Sequence, residues 1–434
     1  MDILLNPVVI SVVIMVILCL LKLNVFISLV VSSIICGLIG GYPLVEVINV
    51  LISGMGGNNE IVFSLILFGV LAAAMTKSGV GDVLVPKVSK LIGNKSWILL
   101  VVLAGMAVLS ETFILIYVAF VPIIVPPLLP LMNELEMDRR KVATAIVGGL
   151  KISYIMIPAG YGLIYHQIIQ GELALNGLDV SLNLIWKSAS VAGLAMIVGF
   201  IISLYFYRKP RKYNKMTTHE TNASQENLKM KWSHWATLIG ALAAVGIQLT
   251  TGSMPLGALS GVLLMALLGA IKWKDFDETT LDGIKMFGFI AFVMMAASGF
   301  SEIAREMGNV QGLIDSTLDI LGGNMFFGAI LMLTLGLIIT MGIGTSFGTI
   351  PIVAAVIVPM GMQLGFSPAA IILLVAISAA LGDAGSPASD STLVPSAALN
   401  VDGQHDHIWD TCVPTFIFYN IPLIIFGIIG SLIL

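Results

Sequence analysis

Ten apolar runs of near bilayer-spanning length recur along the whole chain, at about 7–22, 24–41, 61–76, 141–168, 183–207, 233–250, 255–271, 283–300, 368–396 and 411–434. Such runs restrict the fold sharply. In lipid every backbone N–H and C=O must be satisfied internally, which leaves helices for segments of this length. The 434 residues are 58% hydrophobic and only 11% charged, with a mean hydropathy of +1.01. A soluble domain is usually about a quarter charged. The sequence therefore predicts an all-α polytopic membrane protein.

The start, "MDILLNP", places Asp2 where a cleavable signal would carry basic residues, so no removed leader is expected. Cys19, Cys36 and Cys412 lie scattered in apolar runs with neither metal nor disulfide spacing, and read as membrane packing. The longest polar stretch, about 208–232, reads as a cytoplasmic linker, so the Asn222-Ala223-Ser224 sequon within it carries no weight. "GMGGNNE" (54–60) reads as an outward loop, because no Walker lysine follows it.

Two further apolar regions, about 97–130 and 325–363, are broken near their middles by glycine, proline and polar residues. Read as re-entrant hairpins, with both termini outside, they put 18 of the 21 Lys/Arg in the cytoplasm. Lys187 and Arg305 fall outside, and Lys151 lies within a span. Outward loops such as "GYPLVEV" lack basic residues, but so does the inward loop 397–410.

Sliding the chain on itself by 229 residues matches Gly79 with Gly308, Gly93 with Gly322, Pro122 with Pro351 and Pro158-Ala159 with Pro387-Ala388. Each half then holds five crossings plus one hairpin. Five is odd, so the second half enters from the opposite side. This is the inverted repeat typical of secondary transporters. The expected division is a first repeat over 1–207 (hairpin about 97–130, broken helix about 141–168), the linker, and a second repeat over 233–434 (hairpin about 325–363, broken helix about 368–396).

The corresponding breaks are "IMIPAG", with Pro158 and Gly160, and "AGSPAS" within "LGDAGSPASDSTLVPS". Proline removes a backbone donor and interrupts the helix, freeing polar groups that are tolerated only against protein or a wet cavity. Ser386, Ser389, Ser391 and Thr392 add hydroxyl oxygens of the kind a small hard cation prefers. The hairpin tips contribute Ser110-Glu111-Thr112 and Gly344-Thr345-Ser346. Half-helix amino ends there could hold an anionic substrate group.

Four charges, Glu111, Lys151, Asp383 and Asp390, fall within apolar segments, where each costs roughly 2.5–3.5 kcal/mol on insertion scales. Structural roles compete with functional ones: capping of the break for the two aspartates, snorkelling for Lys151, a hairpin cap for Glu111. Lys151 could pair with Asp383 or Glu111, or receive a substrate carboxylate. His405 and His407 lack a third ligand and make a poor zinc site.

"GDAGSPASDSTLVPS" followed by "HDHIWDTCVP" resembles the NhaC-type sodium/proton antiporter family, within the ion transporter superfamily that also includes dicarboxylate/sodium symporters. The first half, with "AMTKSGVGD", looks more like a branch regarded as amino acid (including histidine) permeases. The resemblance implies hairpins and broken helices moving elevator-fashion against a scaffold that often dimerises. It also implies a sodium site, drawing on Thr112, Thr345, Ser386 and Asp390. Glu111 stands where the symporters carry asparagine and adds a titratable group.

The expected function is a secondary active transporter in the bacterial inner membrane, carrying an amino acid coupled to a sodium or proton gradient; the alternative is a sodium/proton antiporter. Partners are the bilayer and an ion or small-molecule substrate, with a homodimer implied by resemblance and no nucleic acid. No cofactor is expected beyond the coupling ion. A membrane-embedded enzyme would need a nucleophile–base pair or a metal motif in the spans, and the chain offers neither.

Overall fold

A computed structural model describes residues 5–21, 23–56, 59–80, 83, 96–114, 117–214, 230–307, 312, 323–387 and 389–434. No strand occurs among the described residues. The first helices are α1 (Pro7–Leu20), α2 (Val25–Ile39), α3 (Leu44–Met55) and α4 (Asn59–Ser78). Then come α5 (Ser96–Leu109), which widens into a π turn at Ser110–Ile114, and α6 (Tyr117–Glu134). A broken pair follows, α7 (Arg139–Met156) and α8 (Tyr161–Leu175), and then the long α9 (Leu182–Phe206). Beyond the linker run α10 (Trp232–Thr251), α11 (Met254–Leu267), α12 (Phe276–Met307), α13 (Met325–Ile343) and α14 (Ser346–Gln363). A second broken pair, α15 (Pro368–Ala380) and α16 (Asp390–Leu399), precedes α17 (Ile421–Ile433), which is entered through π turns from His407.

Residues 215–229 of the linker and 115–116 at the first hairpin lie outside the described residues. The order two helices, broken pair, apolar helix occurs twice, as α5–α9 and α13–α17. α13 and α14 return to the same end, since Gly328 near the start of one packs on Leu364 at the end of the other.

Two expectations change. "GYPLVEV" is not simply a loop: Leu44 onward forms α3, capped by extended Pro43 and buried along Val47, Leu51 and Gly54. Its apolar positions recur at helical spacing but over only 12 residues, so it does not read as a span. Several expected spans are also short. α2 and α11, at 15 and 14 residues, reach only about 21–23 Å against a hydrocarbon core of ~30 Å. Among the described residues, four stretches are long and apolar enough to cross alone: 182–206, 346–363, 368–399 and 407–433. The α7–α8 pair, bent by 51°, makes a fifth.

α12 is the axis of one helix group and packs on α2, α3 and α4. α15 is the axis of the other: every residue from Ala370 to Ala380 is buried, against α9, α13, α14 and α17. Lipid tails are as apolar as leucine, so such packing relies on close backbone approach at small residues. At Gly336 of α13 an added Cβ would lie 2.3 Å from Ser378 Cβ of α15. Around these two axes, the breaks and the α13–α14 turn converge on one buried polar centre.

Candidate functional site

The α7–α8 break begins where Pro158 cannot donate to the preceding turn. The freed carbonyls find side-chain partners. His166 Nε2 lies 2.9 Å from the Ile155 carbonyl, and Trp186 Nε1 donates to the Met156 carbonyl at 2.6 Å. Gly160 turns the chain with φ +59°, and an added Cβ would lie 2.5 Å from the Thr112 carbonyl and 2.6 Å from that of Glu111. Only glycine fits there, so the tip of α5 is seated directly on the break.

The second break is anchored from several sides. The Gly382 amide donates to Asn420 Oδ1 at 3.1 Å. Thr392 Oγ1 donates to the Ser386 carbonyl at 2.6 Å, and Ser386 Oγ donates to the Met341 carbonyl at 3.2 Å. His407 clamps the outside of the break, with Nε2 3.0 Å from the Pro387 carbonyl and Nδ1 2.7 Å from Ser396 Oγ. The carbonyls of Ile155, Met156, Ser386 and Pro387 each carry a side-chain hydrogen bond.

Asp383 is the hub. Lys151 Nζ of α7 lies 2.5 Å from Asp383 Oδ2. The same oxygen accepts from the Ser346 amide at 2.9 Å and from Ser346 Oγ at 2.5 Å. Asp383 Oδ1 accepts from Ser389 Oγ at 2.6 Å. Ser389 Oγ also accepts the Ser391 amide at 3.2 Å, and the Ser391 hydroxyl donates to the Asp383 carbonyl at 3.1 Å. The carboxylate therefore meets the amino end of α14, where the helix dipole favours a negative charge. Gly344, left-handed at φ +73°, ends α13 and delivers Thr345-Ser346 to that position.

Asp383 is 2% exposed and Lys151 4%, so neither charge is hydrated and each depends on the other. Glu111 is also buried, and the charges that act on it are those of Asp390 and Lys151. Asp390 is exposed, yet it feels Lys151 and Asp383. The centre thus holds three carboxylates and one ammonium, with Asp390 at its edge.

Thr112 is buried, and its hydroxyl has no partner among the described residues. It lies at the Gly160 side of the centre, while Ser386 meets the Met341 carbonyl near the end of α13. Ser110 Oγ donates to the Ala107 carbonyl at 2.8 Å, within its own helix. Among the described residues, no group of three or more His, Cys, Asp and Glu is placed to hold a metal ion.

The sequence reading missed an aromatic wall. Tyr154 donates to Ser346 Oγ at 2.8 Å, and its ring lies 5.3 Å from Lys151 Nζ. The Phe347 ring packs tilted at 5.6 Å from Tyr154 and 6.1 Å from Tyr161, and edge-on at 6.2 Å from Tyr165. Tyr154 is one helical turn from Lys151, the only local signal that could have pointed to it.

A helical membrane protein with two broken helices meeting at a buried lysine–carboxylate centre is a transporter rather than an enzyme. Residues 145–428 match the model of the Na+/H+ antiporter family, and residues 6–92 match a second model described as the Na+-H+ antiporter family. The chain belongs to the Na+/H+ antiporter family and is a secondary transporter, as its NhaC-type motif suggested. It is 42% identical to an uncharacterized membrane protein of Vibrio parahaemolyticus, over 99% of this chain and 100% of that one. It is equally identical, with the same coverage, to a Bacillus subtilis protein named "Putative amino acid transporter YuiF". In fold it is similar to Neisseria gonorrhoeae MtrF (TM-score 0.65, 14% identity, 94% of each chain) and to the Alcanivorax borkumensis YdaH transporter (0.60, 13%, 97% of each chain).

Proposed function

We propose that this protein carries an amino acid across the inner membrane, coupled to sodium or protons, and that the Lys151–Asp383 pair is the coupling element. The observation that carries this reading is the ion pair itself, which ties α7 to the second break. A cation arriving at Asp383 competes with Lys151 for the same carboxylate. Ser346 and Ser389 already point hydroxyls at that carboxylate and can turn their oxygens toward the incoming ion. Lys151, released from Asp383, then faces an unpaired state that burial disfavours. It either takes up a substrate carboxylate or gives up its proton.

An amino acid fits the first outcome. Its carboxylate replaces Asp383 at Lys151, its ammonium meets Asp390 or Glu111, and the Tyr154–Phe347 wall borders its side chain. The likeness to the Bacillus subtilis protein over the full chain supports this cargo. The second outcome is sodium/proton exchange, and the family match favours it. The doubled element order supports an inverted repeat of 1–207 and 233–434, with re-entrant hairpins, and the likeness to MtrF and YdaH in fold is consistent with movement of broken helices against a scaffold. The distribution of basic residues supports termini outside and the linker inside.

The test uses proteoliposomes loaded with a pH dye. A sodium gradient is applied first alone and then with a mixture of amino acids. Proton or amino acid movement only when amino acids are present supports the first reading. Proton movement driven by sodium alone identifies an exchanger.

A further inference from the structure

The Lys151–Asp383 pair joins two segments that are themselves held by one short element, the π turn Phe416–Asn420 at the entrance to α17. Pro422 lacks the N–H that an α-helix would donate to the Phe418 carbonyl. That carbonyl lies against Gly199 of α9, where an added Cβ would collide with it. The turn is thus seated on a 25-residue helix that carries neither proline nor break. Single π turns inside helices are frequent at functional sites.

Neighbouring residues of this turn reach the two sides of the ion pair. Tyr419, fully buried, donates its hydroxyl to the Thr144 carbonyl of α7 at 2.5 Å. Thr144 precedes Lys151 by two helical turns and lies within roughly 20° of the same face. Between them Gly148 leaves room for the Tyr419 hydroxyl, with which an added Cβ would collide. Asn420, 1% exposed, accepts the Gly382 amide through Oδ1 at 3.1 Å, one residue before Asp383. Gly385 packs on the same turn, where an added Cβ would lie 2.5 Å from Phe416 Cβ. At the other end of the break His407, on the preceding π turn (His407–Cys412), donates from Nε2 to the Pro387 carbonyl at 3.0 Å. None of these bonds uses an atom of the Lys151 or Asp383 side chain.

We propose that Tyr419 and Asn420 are positioning residues, which set the separation of Lys151 from Asp383 by fixing α7 and the second break to one seat on α9. A buried ion pair holds only while its geometry is good, because both charges have given up water. Loosening either bond therefore weakens the pair without removing a charge. The inference rests on the reading of Asp383 as the place where the coupling cation displaces Lys151. On that reading a weaker pair is displaced at a lower cation concentration.

The test is uptake of a labelled amino acid mixture into proteoliposomes, against sodium concentration at fixed pH and against pH at fixed sodium. It compares wild type, Asn420→Ala, Tyr419→Phe and Asp383→Asn, beside hydrogen exchange of the amides in 382–387. Asn420→Ala and Tyr419→Phe should each lower the half-saturating concentration of the driving cation about tenfold, on the scale of one buried hydrogen bond, with maximal flux within about twofold of wild type. Damage to the fold alone lowers maximal flux and does not sharpen the response to the cation. Tyr419→Phe keeps the ring and serves if Asn420→Ala fails to fold. Its lost bond is to α7, so faster exchange at 382–387 in this variant reports a change carried through the ion pair. Unchanged half-saturation in both variants, or maximal flux lost without such a fall, would overturn the proposal. Wild-type flux in Asp383→Asn would instead defeat the coupling reading. The positioning role is then upheld by faster exchange at 382–387 in Tyr419→Phe and overturned by unchanged exchange.

Discussion

Lys151 and Asp383, 232 positions apart, meet at 2.5 Å with both side chains almost wholly buried. The pair joins the segment before the first break to the segment within the second. Its strength is conditional. Each charge is stabilised by the other, so anything that occupies Asp383 changes the state of Lys151.

Asp383→Asn leaves the Lys151 ammonium buried without its counter-charge. The expected cost is about 3–5 kcal/mol of stability, with transport reduced to background. Lys151→Met in the same chain should recover most of the stability and none of the transport. Thermal melting followed by size exclusion, beside flux in proteoliposomes, separates the two effects.

Tyr154→Phe removes the hydroxyl that donates to Ser346 Oγ and keeps the ring beside Lys151. Loss of one buried hydrogen bond should cost about 0.5–1.5 kcal/mol. Because Ser346 in turn donates to Asp383, the variant should also shift the concentration of coupling cation giving half-maximal flux. A melting change with no such shift would confine Tyr154 to packing.

Gly160→Ala should be far more damaging than an ordinary Gly→Ala change. The left-handed backbone costs a non-glycine residue roughly 1–2 kcal/mol, and the new Cβ runs into the Thr112 and Glu111 carbonyls. Low yield and low melting temperature are expected. Wild-type flux would show that the tip and the break are not in fixed contact.

A separate polar cluster lies where the linker begins. Arg139 is fully buried, pairs with Asp402 at 2.5 Å and donates to the Leu399 carbonyl at 2.8 Å. Burial alone would raise the Asp402 carboxyl, but the hydrogen bonds and charge of Arg139 hold it below the usual range. Its stabilisation is thus present above about pH 4, the ordinary aspartate value, and lost as the pH falls further. Burial pushes the nearby His405 imidazole down to about 4, against the opposing charge of Asp410. The unfolded chain takes up that proton near 6.5, so acidification from about 6.5 to about 4 favours unfolding. A melting temperature that falls across this window in wild type, and falls less in His405→Gln, is the expected result.

The breaks at Pro158 and Pro387 were legible in the sequence because proline and glycine act locally. So was a partner for Lys151, since a buried lysine needs an acid and Asp383 and Glu111 were named as candidates. The Tyr154–Ser346 bond and the Arg139–Asp402 pair were not, because contacts spanning 192 and 263 positions leave no periodicity to read. α3 was hidden for another reason: a 12-residue amphipathic helix falls below the length at which hydropathy signals a span. The side-chain partners of the freed carbonyls were invisible too, as they depend on which helices pack beside each break.

The most direct measurement is flux of labelled amino acids into proteoliposomes under an imposed sodium gradient and, separately, a pH gradient, for wild type and Asp383→Asn. If Asp383 is where the cation displaces Lys151, wild type shows gradient-driven flux and Asp383→Asn shows none under either gradient. Equal flux in the two proteins would contradict the account.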